Sequence, residues 1–161
     1  MSSEARAERS SHGVRSQSPS RLTRPELFMT VAELYGMRSS CPRANVGVVA
    51  VNEGRIVAAG YCGAPSGIVH CTDYGCTIVN DHCVNSVHAE ANMIAWAART
   101  GTCLLSTDVY CTHAPCLSCA QLMGNAGIKS LTWKFPYHDD ESGLNLLLAV
   151  GLEVTRYEPR R

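Results

Sequence analysis

Two short stretches, His88-Ala89-Glu90 and Pro115-Cys116-Leu117-Ser118-Cys119, combine three metal-binding side chains with one carboxylate. Cys116 and Cys119 are three residues apart, which puts both side chains on one face of a helix, so one Zn²⁺ can bind both sulfurs. Pro115 favours a helix start, where unpaired backbone N–H groups and the helix dipole favour a thiolate. The two stretches therefore predict two helix starts that lie side by side and share a zinc ion.

His88 and Glu90 can have separate roles, because residues two apart at a helix start point in different directions. With His88, Cys116 and Cys119 as ligands, a tetrahedral zinc keeps its fourth position for water, as catalytic zinc sites do. Two thiolates neutralise the formal charge of the zinc, so a nearby base must help to remove a proton from that water, and Glu90 is suitably placed.

This pattern indicates hydrolytic deamination of a nucleobase. In the expected reaction, a zinc-bound hydroxide attacks an amidine-like ring carbon, and Glu90 acts as the proton shuttle to the ring nitrogen and the leaving amine. The alternative is a zinc knuckle that only stabilises the fold, but such a knuckle leaves the His-x-Glu pattern and Pro115 unexplained.

Charge and hydropathy exclude some classes of partner. The 161 residues include 14 Lys and Arg and 14 Asp and Glu, and this balance weighs against binding of a long nucleic acid. Apolar runs such as Val46–Val51 and Leu144–Val150 are too short to span a membrane, and the opening residues do not form a secretory signal. We therefore expect a cytoplasmic protein whose 9 cysteines are metal ligands or reduced thiols.

The chain divides into two parts. Residues 1–22 are rich in Ser and Arg and poor in apolar side chains, which predicts a disordered N-terminal extension, and residues 23–161 form one domain. Thr23-Arg24-Pro25-Glu26 has the pattern of a capping box and predicts a first helix. Val46–Val51 and Arg55–Tyr61 predict a hairpin around Asn52-Glu53-Gly54.

After the hairpin, helical and strand patterns alternate. Helices are expected over residues 87–99 and 116–125, strands over 108–112 and 131–135, and a last helix and strand close the domain. The long segment between the hairpin and the helix over 87–99 is predicted to be a loop. This order indicates a layered α/β sandwich with both zinc-bearing helices on the same side of the sheet.

From about Leu27 to Val154 the chain resembles the deoxycytidylate deaminases of the zinc-dependent cytidine deaminase superfamily. Besides the two zinc-binding stretches, the matching ones are Arg38-Ser39-Ser40-Cys41-Pro42, Val46-Gly47, Gly60-Tyr61-Cys62-Gly63-Ala64-Pro65-Ser66-Gly67, His82-Cys83-Val84-Asn85-Ser86-Val87 and Asn125-Ala126-Gly127-Ile128-Lys129. The resemblance implies a three-layer α/β/α cytidine deaminase-like sandwich around a central mixed five-stranded sheet. It also implies conversion of deoxycytidine monophosphate (dCMP) to deoxyuridine monophosphate (dUMP) and ammonia, which supplies thymidine nucleotides.

The resemblance carries further expectations about partners. It implies a homo-oligomer, by analogy a hexamer, and regulation by dCTP and dTTP, with Mg²⁺ accompanying the triphosphate effector. Ala89, Asn92 and Tyr137 match substrate-binding positions, and Arg99 matches a position for effector or subunit contact. Asn92 and Arg99 also suit an ordinary exposed helix face.

Cys62 departs from the family pattern, which is usually Gly-Tyr-Asn-Gly with the Asn in contact with the nucleoside. A thiol cannot replace both hydrogen bonds of an amide. Either another group contacts the nucleoside, or the preferred pyrimidine is altered, or Cys62 is a small buried residue that the loop tolerates. The alternatives to dCMP are therefore a modified cytidylate or a free nucleoside, and a non-catalytic, zinc-stabilised nucleotide-binding protein is the alternative outside enzymes.

A second, structural zinc site is expected near the loop from Cys62 to Cys83. Some members of the family have such a site with ligands that match Cys41 and Cys71. Cys76 and Cys83 are the other predicted ligands because thiolates dominate closed structural zinc sites, while His70 and His82 compete for the same roles. Four simple reduced thiols are the alternative.

Overall fold

Helices and strands mostly alternate along the chain. The computed structural model describes residues 21–43, 45–80, 82–138 and 140–160. The elements are α1 (Arg24–Gly36), β1 (Gly47–Asn52), β2 (Arg55–Tyr61), α2 (Cys71–Tyr74), β3 (Ile78–Val79), β4 (His82–Cys83), α3 (Ala89–Thr100), β5 (Asp108–His113), α4 (Leu117–Asn125), β6 (Ser130–Phe135), α5 (Ser142–Ala149) and β7 (Glu153–Arg156). The predicted disordered extension lies outside the described residues, except for Arg21 and Leu22.

Helix α1 begins at the predicted capping box. The Thr23 hydroxyl accepts a hydrogen bond from the backbone N–H of Glu26, and the Glu26 carboxylate accepts one from the backbone N–H of Thr23. Pro25 lies in the first turn, where its missing N–H has no helical partner to lose. The predicted start of the first helix is therefore confirmed.

The predicted hairpin is also confirmed, because β1 and β2 pair antiparallel from Gly47 opposite Tyr61 to Asn52 opposite Arg55. Its turn contains Glu53 and Gly54, both with positive φ. The sheet has the order β2-β1-β5-β6-β7, and β5, β6 and β7 run parallel to one another. This is the expected mixed five-stranded sheet.

Alternate side chains of β1 enter two separate cores, which makes the fold three-layered. Val49 and Val51 pack with Phe28 and Ala32 of α1. Val48 and Ala50 belong to the larger core on the opposite face, whose helical members include Ala89, Met93 and Ala97 of α3, Ala120 and Met123 of α4, and Leu147 of α5. The two helices expected to carry zinc ligands therefore lie on one side of the sheet, as predicted.

The segment between β2 and α3 has more structure than the predicted loop. It contains the single-turn helix α2 and a two-stranded sheet of β3 and β4, each too short to produce a periodic pattern in the sequence. Gly63 and Val87 exchange backbone hydrogen bonds of 3.2 and 2.9 Å across the base of the segment. The segment therefore returns to the start of α3 in a fixed position. Every helix among the described residues is too short or too polar to cross a membrane.

Candidate active site

Two of the predicted zinc ligands are the residues that immediately precede helices. His88 is the N-cap of α3 and Cys116 is the N-cap of α4, and neither side chain bonds to its helix backbone. The helices therefore start slightly later than the predicted residues 87 and 116, because His88 and Cys116 both have extended backbones. Both side chains remain available to bind a metal near two helix N-termini, where the local field is positive.

The distances among His88, Cys116 and Cys119 fit a zinc ion. The His88 Nδ1 atom lies 3.5 Å from Cys116 Sγ and 3.6 Å from Cys119 Sγ. Zn–S and Zn–N bonds of about 2.3 and 2.0 Å at a tetrahedral angle put sulfur and nitrogen about 3.5 Å apart. The three ligand atoms thus match a tetrahedral zinc whose fourth ligand comes from elsewhere.

The pKa values of the two thiols in this group depend on each other. Hydrogen bonding to Cys119 and to His88 lowers the pKa of Cys116 to about 4. The same Cys116 thiolate, together with burial, raises the pKa of Cys119. One thiolate thus forms readily, while the second thiol must release its proton when a divalent cation arrives.

Glu90 lies in the first turn of α3 and is only 3% exposed, yet it lines the cleft beside His88 and Cys116. Burial raises the pKa of the Glu90 carboxyl, although the nearby His88 opposes this change. A carboxyl with a raised pKa exchanges protons more readily near neutral pH. Glu90 therefore has the position and the proton affinity of a general acid and base.

Close backbone packing fixes the start of α3 against the sheet. A Cβ atom at Gly60 would lie 2.3 Å from the carbonyl oxygen of Ala89, so only glycine permits this approach of β2 to α3. Asn92 adds two hydrogen bonds, from its Nδ2 atom to the carbonyl oxygens of Tyr61 at 2.9 Å and Val87 at 3.5 Å. Asn92 thus holds the strand to the helix.

The cleft above these ligands includes two of the predicted substrate-binding residues. Cys62 and Tyr137 line it, whereas Ala89, Asn92 and Arg99 are outside its lining among the described residues. Arg99 lies in the last turn of α3, with its guanidinium 5.8 Å from the ring centre of Trp96. Any effector or subunit contact made by Arg99 would be remote from the cleft.

Tyr137 lies in the cleft between His88 and His82. Its ring centre lies 6.2 Å from that of His88, and its hydroxyl is 3.3 Å from His82 Nδ1. Burial and the negative charges of Cys116, Cys119 and Glu90 raise the pKa of Tyr137, so the phenol keeps its proton. Tyr137 can therefore donate a hydrogen bond in the cleft.

Cys62 follows β2 and is 5% exposed. Burial and the neighbouring Glu90 carboxylate raise its pKa to about 12, so it stays a neutral thiol. As a thiol it donates and accepts hydrogen bonds weakly. The position that is usually Asn in the family thus presents a small and almost apolar surface to the cleft.

The four predicted ligands of a second zinc, Cys41, Cys71, Cys76 and Cys83, come together in what we call the four-sulfur cluster. Cys41 Sγ lies 3.8 Å from Cys76 Sγ, and Cys71 Sγ lies 3.5 Å from Cys83 Sγ. Tetrahedral zinc with Zn–S bonds of about 2.3 Å puts its sulfurs about 3.8 Å apart. The donor set and spacing therefore fit a closed zinc site.

The two competing histidines lie outside the four-sulfur cluster. His70 is the N-cap of α2, and His82 contacts Tyr137 instead. Within the cluster, burial raises the pKa of Cys76 to about 12. Burial also acts to raise the pKa of Cys83, but hydrogen bonds from Asn85 and the other thiols lower it overall, so the first thiolate forms there.

Several polar cleft residues were not predicted as site residues, namely Arg43, Ser86, His138 and the imidazole of His113. The His113 Nδ1 atom is 3.0 Å from the Thr112 hydroxyl, and burial lowers its pKa, so this imidazole is neutral at pH 7. Arg43 has a signal in the sequence, since it lies two residues after Cys41.

The chain is similar to known proteins in sequence and in fold. The family model described as the cytidine and deoxycytidylate deaminase zinc-binding region matches residues 22–134. ComE operon protein 2 of Bacillus subtilis is 35% identical over 138 residues, which cover 86% of this chain and 73% of the relative. The deoxycytidylate deaminase of Homo sapiens is 36% identical over 148 residues, which cover 84% of this chain and 80% of that one.

The chain spans only part of some relatives, since it covers 43% of the deoxycytidylate deaminase of Schizosaccharomyces pombe and 46% of that of Saccharomyces cerevisiae. Among solved structures, the dCMP deaminase of cyanophage S-TIM5 in complex with dCMP and dUMP superposes with a TM-score of 0.74 at 30% identity. That match covers 82% of this chain and 95% of the phage chain. Since the family model extends over both zinc-binding stretches, the chain belongs to the cytidine and deoxycytidylate deaminase family.

Proposed function

We propose that the chain hydrolyses dCMP to dUMP and ammonia. The observation that carries this proposal is the meeting of His88, Cys116 and Cys119 at zinc-binding distances beside the buried carboxyl of Glu90. Three of these residues, His88, Cys116 and Glu90, line one cleft. The cyanophage relative with bound dCMP and dUMP supports a pyrimidine nucleotide as the ligand. The human, yeast and phage relatives with the name deoxycytidylate deaminase support the reaction.

His88, Cys116 and Cys119 would hold the catalytic zinc. Zinc in such a site supplies a Lewis acid that makes water a better nucleophile at neutral pH. A carboxylate oxygen of Glu90 would take a proton from the attacking water and deliver it to the ring nitrogen, and later carry a proton to the departing amine. The buried position of Glu90 supports this role, because its raised pKa lets it hold the proton between the two transfers.

We also propose that the four-sulfur cluster binds a structural zinc. Its four sulfurs come from the turn after α1, from α2 and from the segment that follows α2, and they lie within 4.8 Å of one another. Zinc would cross-link this segment to the domain, where short elements alone bury little apolar surface. The cytoplasmic location, the hexamer, and the control by dCTP and dTTP with Mg²⁺ stay predictions.

A second candidate substrate is a 5-substituted deoxycytidylate, because Cys62 presents a small neutral thiol to the cleft. The test compares ammonia release from dCMP, deoxycytidine and 5-substituted deoxycytidylates by the zinc-loaded protein. Turnover of dCMP above the others supports the proposal, and preference for a substituted nucleotide supports the second candidate.

The matched variant is Glu90→Gln, which keeps the size of the side chain and removes its proton transfer. We expect it to keep its zinc and to lose about 10²–10⁴-fold in kcat. Zinc-loaded wild-type protein that deaminates none of these compounds would contradict an enzymatic role and favour a nucleotide-binding protein.

A further inference from the structure

The cleft reaches the end of the central sheet, where three neighbouring chain segments each contribute one side chain. Val48 of β1 is paired with Cys111 of β5, and two residues beyond this pair Val46 and His113 face the same side of the sheet. On the other side of β1, the Cys62 N–H donates a hydrogen bond to the Val46 carbonyl oxygen at 3.1 Å. Val46, His113 and Cys62 all line the cleft. One row of side chains therefore forms the sheet side of the cleft.

Two members of this row offer little hydrogen bonding to a ligand. Val46 is apolar, and the neutral thiol of Cys62 is a weak donor and a weak acceptor. The third member, His113, has two ring nitrogens, one of which is a donor and the other an acceptor when the ring is neutral. The position of the ring proton therefore decides what this side of the cleft offers.

Thr112 determines which nitrogen of His113 has the proton. The buried Thr112 hydroxyl accepts a hydrogen bond from the Gly47 N–H at 3.1 Å. Among the described residues, His113 Nδ1 at 3.0 Å is the acceptor within reach of the proton of this hydroxyl. The reverse arrangement would leave a buried hydroxyl proton without an acceptor, which is unfavourable. His113 Nδ1 is therefore the acceptor, and the ring proton is on Nε2.

The Nε2–H group of His113 is accessible from the cleft. Thr112 is only 2% exposed and is outside the cleft lining, so the Nδ1 side of the ring faces the protein interior. The ring centre of Phe135 lies 5.4 Å from that of His113, and this packing restricts the ring. In the described part of the chain, Nε2 has no hydrogen-bond partner, and every buried side-chain nitrogen has one. Nε2 is therefore not buried.

We propose that His113 donates a hydrogen bond from Nε2 to an oxygen of the bound pyrimidine nucleoside, and thereby supplies the donor that Cys62 lacks. This inference rests on the proposed function. The nucleoside has two oxygens that suit this donor, the ring carbonyl O2 and the 3′-hydroxyl. Both are neutral acceptors, so a neutral imidazole can bind either of them without any transfer of a proton.

His113 and Glu90 approach a substrate from different sides. His113 ends β5, three residues before the predicted zinc ligand Cys116, whereas Glu90 lies in the first turn of α3. The charge of Glu90 helps to raise the pKa of Cys62, while burial alone lowers the pKa of His113. A contact from His113 therefore leaves the proton transfers of Glu90 undisturbed, and its loss should appear in binding and KM more than in kcat.

The first test measures the affinity of dUMP by calorimetry in zinc-loaded wild type, His113→Asn and His113→Gln. The Asn amide nitrogen takes the place of Nδ1 and leaves the position of Nε2 empty, whereas the Gln amide can offer an N–H near that position. Loss of a hydrogen bond between neutral groups typically weakens binding by about 2- to 10-fold. We expect this loss in His113→Asn and partial recovery in His113→Gln.

His70→Asn is the matched control, because His70 is exposed and lies outside the cleft lining. It should bind dUMP as the wild type does. Equal affinity of wild type and His113→Asn would overturn the inference. Equal weakening in His113→Asn and His113→Gln would overturn it too, because the loss would then follow the imidazole shape and not the donor.

Two analogues of dUMP identify the oxygen that accepts the hydrogen bond. One has sulfur in place of O2, and the other lacks the 3′-hydroxyl. The analogue that lacks the true acceptor should bind wild type more weakly than dUMP does, and His113→Asn should remove most of that difference. If His113→Asn leaves both differences unchanged, His113 contacts neither oxygen and the inference is wrong.

Nitrogen-15 NMR of the zinc-loaded protein tests the tautomer without any substrate. The His113 ring, assigned by the signals that disappear in His113→Asn, should have its proton on Nε2, and a proton on Nδ1 would overturn the inference. The proposed function has separate outcomes. Wild type that binds dUMP through His113 but does not deaminate dCMP would contradict the reaction alone, and wild type that does not bind dUMP would contradict both.

Discussion

Cys41 and Cys83 lie between the four-sulfur cluster and the active-site cleft, because both residues belong to the cluster and both line the cleft. The two predicted metal sites therefore share a wall. A change in the cluster should reach substrate binding without passing through His88, Cys116 or Cys119. This relationship makes the function of the cluster measurable separately from the chemistry.

Replacement of Cys76 tests this coupling, because Cys76 belongs to the cluster but is outside the cleft lining. We expect Cys76→Ser to lose one zinc ion per chain, to melt at a lower temperature and to raise the KM for dCMP more than it lowers kcat. Metal analysis, thermal unfolding and steady-state kinetics check these outcomes. Cys103→Ser, at an exposed cysteine, is the control. Unchanged zinc content in Cys76→Ser would contradict the proposed site.

Replacement of Cys62 by Asn tests its effect on specificity. An amide restores a strong donor and acceptor at the position where the family usually has Asn. We expect Cys62→Asn to raise kcat/KM for unmodified dCMP relative to 5-substituted deoxycytidylates, as measured by competition between the two substrates. Cys62→Ser separates hydrogen bonding from size. If all three proteins show the same ratio, Cys62 does not determine the choice of pyrimidine.

Gly60 provides a test of how strictly α3 must approach the sheet. A methyl group at Gly60 would collide with the Ala89 carbonyl, so Gly60→Ala should lower the free energy of unfolding by about 1–3 kcal/mol or more and should reduce kcat. Gly124→Ala is the control. Gly124 lies inside α4, and its added Cβ would be in ordinary contact with Val150 at 3.5 Å. Replacement of a helical glycine by alanine stabilises a protein by up to about 1 kcal/mol. Denaturant unfolding measures both.

The Glu26 carboxylate, which pairs with Arg160 and also caps α1, predicts a pH dependence of stability. Hydrogen bonds from Arg160 and Thr23 lower the pKa of Glu26 from 4.5 to about 2. Because the folded-state pKa is depressed, the stabilising contribution is present above pH 4.5 and is lost as the pH falls from 4.5 towards 2. The difference in melting temperature between wild type and Glu26→Gln should therefore shrink over that interval.

Glu53→Gln is the control for this comparison, because it removes one negative charge from the turn between β1 and β2. Any loss of zinc at acid pH affects all three proteins and cancels in the difference. A wild-type advantage over Glu26→Gln that stays constant down to pH 2 would contradict the link to the Glu26 carboxylate.

The long elements could be predicted because their signals are local. The Thr23 capping box, the hairpin turn at Gly54 and the continuous apolar run of β1 each depend on a few neighbouring residues. The expected ligand groups also come together in space. The Cys-x-x-Cys and His-x-Glu spacings that marked the first group are short-range patterns as well. Local patterns of this kind survive in the folded chain.

Features that depend on distant contacts were not predictable in the same way. Asn92 is a polar residue whose place is decided by a hydrogen bond to the carbonyl oxygen of Tyr61, on a different element of the fold. Helix α2 and strands β3 and β4 are too short to produce a periodic pattern in the sequence. Local patterns contain no information on such contacts, and the four-sulfur cluster was expected from the family resemblance and from the preference of structural zinc for thiolates.

The reacting groups of the cleft lie at the starts of α3 and α4, whereas another wall of the cleft is formed by residues of the four-sulfur cluster. This division has a consequence for the evolution of the enzyme. Substitutions between β2 and α3 can change which nucleotide fits while α3 and α4 keep the reacting groups in register. A library confined to residues 62–70 and 77–87, with the cysteines of the four-sulfur cluster unchanged, should therefore yield new substrate preferences with a small loss of folding stability.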